Sequence, residues 1–377
     1  MPFFPTAPVR IQPYFGYRNR TRLVLTARAL RSRPPTFEMR GRWQAVRTML
    51  AQFASHEVAG LVVTLETVSP DGRTRQHRAT TDDEGFARFD IALEGEWPYP
   101  AQPEWETVTL HWDDGEREQC VDAHILVPGE SNRRGIISDI DDTIIETGIT
   151  GNIRAVLRNW RRVLWEMPEE RVLVPGADVF YSALGGSAML AGDGGHAGDR
   201  QPASRRPFFY VSSSPWNLFS YLAAYMRGRG IPLGPIMLRD WGLNRRTFGS
   251  ASHGSHKTAA IEDILATYPE LEFVLIGDDS QGDLTAFDAI AADHPGRIRA
   301  IFIRKVGEAM SAEELAAKTA IEADDIPLWL GDGYADIRGF LADAGLLGDE
   351  GTETILQTAQ TKGEPAELSV PVHSENG

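Results

Sequence analysis

Three aspartates crowd the stretch GIISDIDDTIIETG, residues 135–148. Asp139 closes a short apolar run, and Asp141 and Asp142 follow at once. Like charges packed this tightly repel unless a cation or a proton compensates. Three roles suit such a cluster. Acids favour helix starts, so it could be an N-cap. It could be a calcium loop, but that pattern needs Gly at its sixth position and Glu at its twelfth. Counted from Asp139 those positions are Ile144 and Thr150, which excludes the loop. The third role is chemical. Asp139 is placed to attack a phosphorus atom as a nucleophile, with Asp141 giving the leaving oxygen a proton and later taking one from water. A carboxylate approaching an anionic phosphate needs a cation between them, and Mg2+ suits an all-oxygen site.

Three further places carry matching groups. Ser212 follows the apolar run Phe208–Val211, where a hydroxyl and the amides beyond it can hold a phosphate oxygen. Ser214-Pro215 reads as a helix N-cap with proline at the first helical position. Lys257 precedes an amphipathic segment, where the helix dipole disfavours a cation unless an anion sits close by. Its expected role is to neutralise the phosphate and the nucleophile. In EFVLIGDDSQGD, a second apolar strand runs straight into acids: Asp278, Asp279 and then Asp283. Two such strand ends in one sheet would make an oxygen-rich site for a hard metal.

The elements that must position these groups alternate. From Arg134 onward, GIIS, PFFYVS, EFVLIG and IRAIFIRKV read as strands. The segments NIRAVLRNWRRVLWEM, PWNLFSYLAAYMRGRG, HKTAAIEDILATYP and LTAFDAIAADHP read as helices. That alternation predicts an α/β fold with a parallel sheet, whose sites lie at the carboxyl ends of its strands. Before it, residues 1–130 read as a smaller β-rich, sandwich-like domain with turn signals at PDGRT, DDEG and DDG and one helical stretch, RWQAVRTMLAQFA. Asp82, Asp83 and Glu84 are read there as solvated turn formers. The second domain is placed at 131–347, with a mobile Gly/Ala/Ser-rich insertion over 184–206, and a disordered acidic tail at 348–377.

Composition bounds the rest. The chain has 377 residues, enough for two domains, and a formal net charge of −15, which argues against generic nucleic-acid binding. A single cysteine, Cys120, removes any disulfide framework or cysteine-based zinc site and fits a reducing compartment, so a cytoplasmic location is expected. No run reaches the length of a membrane span, and the first residues lack the order of a secretory signal. Residues 1–50 hold ten arginines and one acid, Glu38. They read as a solvated basic surface pairing with the acidic remainder, or as a dock for an anionic membrane surface.

Taken in order, the acid pair, hydroxyl, lysine and second acid pair resemble the motifs of the haloacid-dehalogenase-type phosphatases. DIDDTIIETG, YVSSSPWNLF, LRDWG followed by HKTAAIEDIL, and LIGDDSQGDLTAF narrow the resemblance to the phosphatidate phosphatase catalytic-domain family of the actin-patch protein type. The resemblance covers about residues 134–345 and includes IPLWLGDGYADIRGFLADAGLL. It implies a haloacid-dehalogenase-like sheet and Mg2+-dependent conversion of phosphatidate to diacylglycerol. It implies Asp139 as nucleophile and Asp141 as acid and base. Thr143 would support their loop and count with Ser212 and Lys257 among the phosphate-binding residues. The metal would be held by the Asp139 side chain, the Asp141 carbonyl and Asp278, with Asp279 or Asp283 acting through water. Where the family reads Gly-Asp-Ser-Gly-Gln, this chain has Gly277-Asp278-Asp279-Ser280-Gln281, which leaves the second supporting acid open. The motifs themselves do not separate phosphatidate at a membrane surface from a soluble sugar phosphate or nucleotide. A non-catalytic membrane- or partner-binding scaffold would tolerate loss of Asp139, which is present. Trp216, Leu218, Phe219 and Trp241 could face a lipid or form helix core.

Overall fold

The computed structural model describes residues 8–31, 56–145, 173–185, 198–239, 253–280, 282–307, 309–334 and 337–346. The predicted helices at 42–54 and 152–167, Trp241 and the tail from 348 lie outside these residues.

The first part is all strand among the described residues. β1 (Val9–Pro13), β2 (Gly16–Arg18), β3 (Arg22–Arg31), β4 (His56–Glu57), β5 (Val62–Val68), β6 (Thr74–Thr80), β7 (Phe86–Ala92), β8 (Glu104–Asp113) and β9 (Glu118–Val127) belong to one sheet. Its pairings are antiparallel except for β2 with β9. Strict alternation explains it: β5 buries Val63, Leu65 and Thr67 and leaves the positions between them partly exposed, as a half-buried strand must. Leu23, Leu25, Phe89, Val63, Leu65, Leu110 and Ile125 then meet in one core drawn from both ends of the sheet. The strands form a single hydrogen-bonded network folded over that core, where two separate sheets would make a sandwich.

A six-stranded sheet follows, every pairing parallel, in the order β13 (Ile236–Arg239), β12 (Phe208–Pro215), β10 (Arg134–Ser138), β14 (Glu272–Asp278), β15 (Ile298–Arg304) and β16 (Leu328–Gly331). The central strands are apolar on both faces (Ile136 and Ile137; Phe273–Ile276; Ala300–Ile303), as burial on both faces requires. Around them lie α1 (Ala177–Gly185), α2 (Phe219–Gly228), α3 (His253–Thr267), α4 (Asp283–Asp293), α5 (Ala312–Ala323) and α6 (Arg338–Asp343). The mixed α/β character and the parallel sheet match the expectation.

The expectation for 184–206 fails in part. The stretch 184–206 is not all mobile insertion: within it β11 (Arg200–Pro202) pairs antiparallel with β8 of the first sheet. Its backbone groups find ladder partners, and Arg200 lies 3.1 Å from Glu106, so glycine and serine content alone misjudged it. The two sheets also share a core: Tyr14, Tyr17, Phe86, Trp105 and Leu126 of the first pack with the second.

Candidate active site

β10 and β14 lie side by side in parallel register, so both end at the same edge of the sheet. Asp139 leaves β10 there with its N–H on the Ile276 carbonyl, and Asp278 is the last residue of β14. Asp283 opens α4 and folds back, so that its Oδ2 accepts from the Asp278 N–H at 3.3 Å. Gly277 permits this return. A Cβ there would stand 2.4 Å from Asp283 Oδ2 and 2.8 Å from its Cβ. From the next helix Lys257 reaches in, 2.6 Å from Asp283 Oδ1 and 3.3 Å from Asp139 Oδ2.

All four side chains are buried. The three carboxylates can each turn one oxygen to within 4.8 Å of the others. Against one ammonium, three carboxylates leave two negative charges in a place without solvent. Neither oxygen of Asp139 accepts a hydrogen bond among the described residues, and its contact with Lys257 is a charge contact only. Buried carboxylates are normally satisfied, so a cation ligated by the three acids is what the donor set fits. The titration behaviour agrees. Burial raises the Asp139 carboxyl well above the carboxylate range; Lys257 opposes this, while Asp283, Asp278 and Asp141 add to it. Asp278 is pushed up to about 7 by burial and by Asp283, against Lys257 and its hydrogen bonds with Ser280. For Lys257, burial pulls the ammonium down, but Asp139, Asp283 and Asp278 outweigh it and hold the group above its ordinary value.

Asp141 stands apart from this trio. Its Oδ2 accepts from Ser212 Oγ at 2.7 Å and from Ser214 Oγ at 2.9 Å. The side chain is therefore aimed by two hydroxyls and stays half-buried, which suits a proton carrier better than a metal ligand. Ser212 is spent on Asp141 and also accepts the Ser214 N–H at 2.9 Å. Ser214 is not a helix cap: β12 runs on through Pro215, which precedes a 3-10 turn at Trp216–Leu218 without a side-chain cap. Asp279 turns away to accept from Val306 N at 2.6 Å and Gly307 N at 3.0 Å. Those amides hold its carboxylate outside the trio, so of the two open choices the geometry favours Asp283. Thr143 is buried and donates to Asp278 Oδ2 at 3.4 Å.

Several contributors had no role assigned from the sequence. Asp142 adopts φ 58°, a left-handed conformation that Asp tolerates better than most residues. The turn is pinned by Arg304 Nη1 on the Asp142 carbonyl at 2.7 Å and by Tyr334 OH on the Thr143 carbonyl at 3.1 Å. Tyr181 OH shares a hydrogen bond of 2.6 Å with Ser138 Oγ, directly beneath Asp139. Trp216 and Phe219 pack on Tyr14, Phe86 and Phe15 of the first sheet, and Leu218 is buried, so this group is core.

Comparison with known proteins points the same way as the geometry. "Phosphatidate phosphatase APP1, catalytic domain" matches residues 134–305, which contain all eight candidate residues. Residues 134–305 are thus similar to that catalytic domain. The Saccharomyces cerevisiae protein named phosphatidate phosphatase APP1 is 33% identical over 177 residues, 47% of this chain and 27% of that protein. An uncharacterised Schizosaccharomyces pombe protein is 31% identical over 99 residues, 26% of this chain and 16% of that protein. The chain thus spans about a quarter or less of the length of these relatives. Among solved structures, a Bacteroides uniformis β-glucuronidase aligns with 85% of this chain and 39% of its own at 11% identity, but with a TM-score of 0.24 it carries no argument. Strands β1 to β9 and Tyr334 lie outside the family match.

Proposed function

We propose that this chain is a phosphatidate phosphatase that works through a phosphoryl-aspartate on a haloacid-dehalogenase-like sheet, with Mg2+ as its metal. The observation that carries the reading is the buried trio of Asp139, Asp278 and Asp283 beside Lys257, within a segment matching a phosphatidate phosphatase catalytic domain. Asp139, Asp278 and Asp283 would hold the cation, which when bound supplies positive charge for the phosphate and the carboxylates.

In the first step an Asp139 oxygen attacks phosphorus and the bond to the diacylglycerol oxygen breaks. Asp141 gives that oxygen its proton, so diacylglycerol leaves neutral. In the second step water attacks the phosphoryl group, Asp141 takes a proton from it, and the bond to Asp139 breaks to release phosphate. Ser212 and Ser214 keep Asp141 turned toward this exchange. Lys257 offsets negative charge throughout and fixes Asp139 and Asp283.

A phosphatidate substrate would bring the protein to a membrane surface from the cytoplasm. The arginine-rich start gives that idea little help where it is described. Arg18 pairs with Glu106, Arg20 with Glu130, Arg22 with Asp90 and Asp263, and Arg28 with Glu57. The deciding assay is phosphate release from phosphatidate vesicles and from soluble sugar phosphates and nucleotides, with Mg2+ and with chelator. Release from vesicles that chelator abolishes is expected. Release from the soluble esters alone would overturn the lipid assignment, and release that survives chelator would overturn the metal.

A further inference from the structure

Strands β1 to β9 of the first sheet lie outside the family match, yet they contact the elements that carry the site. The Ser212–Ser214 segment that aims Asp141 lies at an irregular end of its strand. The pairing of β12 with β13 shifts register between Ser212 and Pro215, and the 3-10 turn that follows has no side-chain cap. Arg28 on β3 reaches into that turn. This buried guanidinium donates from Nη1 to Asn217 Oδ1 at 2.5 Å, inside that turn. Its other donors are anchored in the first sheet and its turns, with Nη2 on Glu57 Oε1 at 3.0 Å and Nε on the Glu84 carbonyl at 2.9 Å. The guanidinium also lies 4.7 Å over the Phe86 ring. Beside it Trp216 sits 4.4 Å from Tyr14 and 5.7 Å from Phe86, ring to ring.

A second grip acts on α3, which carries Lys257. Asp263, six residues further along, accepts from Tyr17 OH at 2.6 Å and from Arg22 Nη1 at 2.9 Å. Asn19 Nδ2 donates to the Thr267 carbonyl at 2.7 Å near the end of the same helix.

We propose that the first sheet is a positioning element of the active site, and that Arg28 is the positioning residue that sets Asp141 through Asn217 and the Ser212–Ser214 segment. Arg28 touches neither substrate nor reacting atoms. It fixes the backbone from which two hydroxyls aim the proton carrier, and small misplacements at such a point cost rate more than binding. The inference rests on the phosphatase reading above, and its test has a readout that does not.

The test compares Arg28→Met, Asn217→Leu and Asn217→Asp in the full chain, measuring kcat, KM and Tm together with amide hydrogen exchange of the 212–219 peptide. Glu94→Gln, at an exposed ion pair with Arg75, is the control. Arg28→Met and Asn217→Leu should lower kcat by about tenfold or more with little change in KM. They should also speed exchange in 212–219. Asn217→Asp still offers Arg28 an acceptor, so it should keep most of kcat and slow exchange. Equal kcat and exchange in all variants would overturn the proposal, as would Asn217→Asp falling as far as Asn217→Leu. If Arg28→Met does not fold, the two Asn217 variants decide. If the wild type shows no phosphatase activity, the proposed function fails, and exchange in 212–219 still decides whether Arg28 holds the segment.

Discussion

The chain buries charge in two places and treats it in two ways. In the first sheet Arg18 meets Glu106 through two bonds of 2.6 Å, and the Trp97 carbonyl takes another of its donors. Arg200 from β11 adds to the same carboxylate, so the cluster carries no excess of acid. At the edge of the second sheet three carboxylates share one ammonium, and both Asp139 oxygens go without hydrogen bonds among the described residues. The first arrangement is what a fold needs to bury charge. The second makes sense once a cation and a phosphate are admitted. Imbalance, more than burial or acidity alone, is what marks the site.

Removing a charge from each cluster should therefore have opposite consequences. Asp139→Asn should lower phosphate release by at least about a thousandfold while leaving Tm in chelator no lower than wild type. Loss of stability with activity retained would erase the contrast. Glu106→Gln strips the partner from a buried guanidinium and should cost about 3–5 kcal/mol in denaturant unfolding. A much smaller cost would mean that Arg18 finds solvent or another partner.

Gly277→Ala sharpens the comparison inside the site. The added methyl must push Asp283 off its return path, so Mg2+ affinity in a calorimetric titration should fall about 10–100-fold. Asp279→Asn keeps an oxygen for Val306 and Gly307 and should leave that affinity nearly unchanged. The reverse ranking would make Asp279 the supporting acid.

The smallest effect is on pH dependence. Burial and Asp283 push the Asp278 carboxyl up to about 7 in the folded chain against about 4 when unfolded, so the unfolded state holds fewer protons between these values. Stability contributed by its protonated form is complete below about 4 and is lost as pH rises through about 7. Thermal scans in chelator should show Tm falling across that window, and saturating Mg2+ should flatten the fall. An identical slope with Mg2+ would place the cation elsewhere.

The sequence carried the chemistry further than the architecture around it. Asp139 and Asp278 were legible because apolar strands run directly into acids, and two such strands had to meet in a parallel sheet; Lys257 was legible from its place near a helix start. Strands β10, β12, β14 and β15 were legible for the same reason. β13 and β16, four residues each, and α1 were too short or too weakly periodic to mark. The split between Asp279 and Asp283 was not legible, since it depends on where the amides of Val306 and Gly307 fall in space. Nor was Arg28, whose role rests on an asparagine 189 positions away. β11 was misjudged because its order comes from pairing with β8, not from its own composition.

The central claim is that the unbalanced carboxylates mark a cation-dependent nucleophile. Rapid acid quench of the chain turning over phosphatidate with Mg2+, followed by peptide mass analysis, tests it most directly. The account predicts one added phosphoryl group on the peptide containing Asp139, absent in chelator and in Asp139→Asn. A phosphoryl group on another residue, or turnover at full rate with none on Asp139 at any quench time, would contradict it.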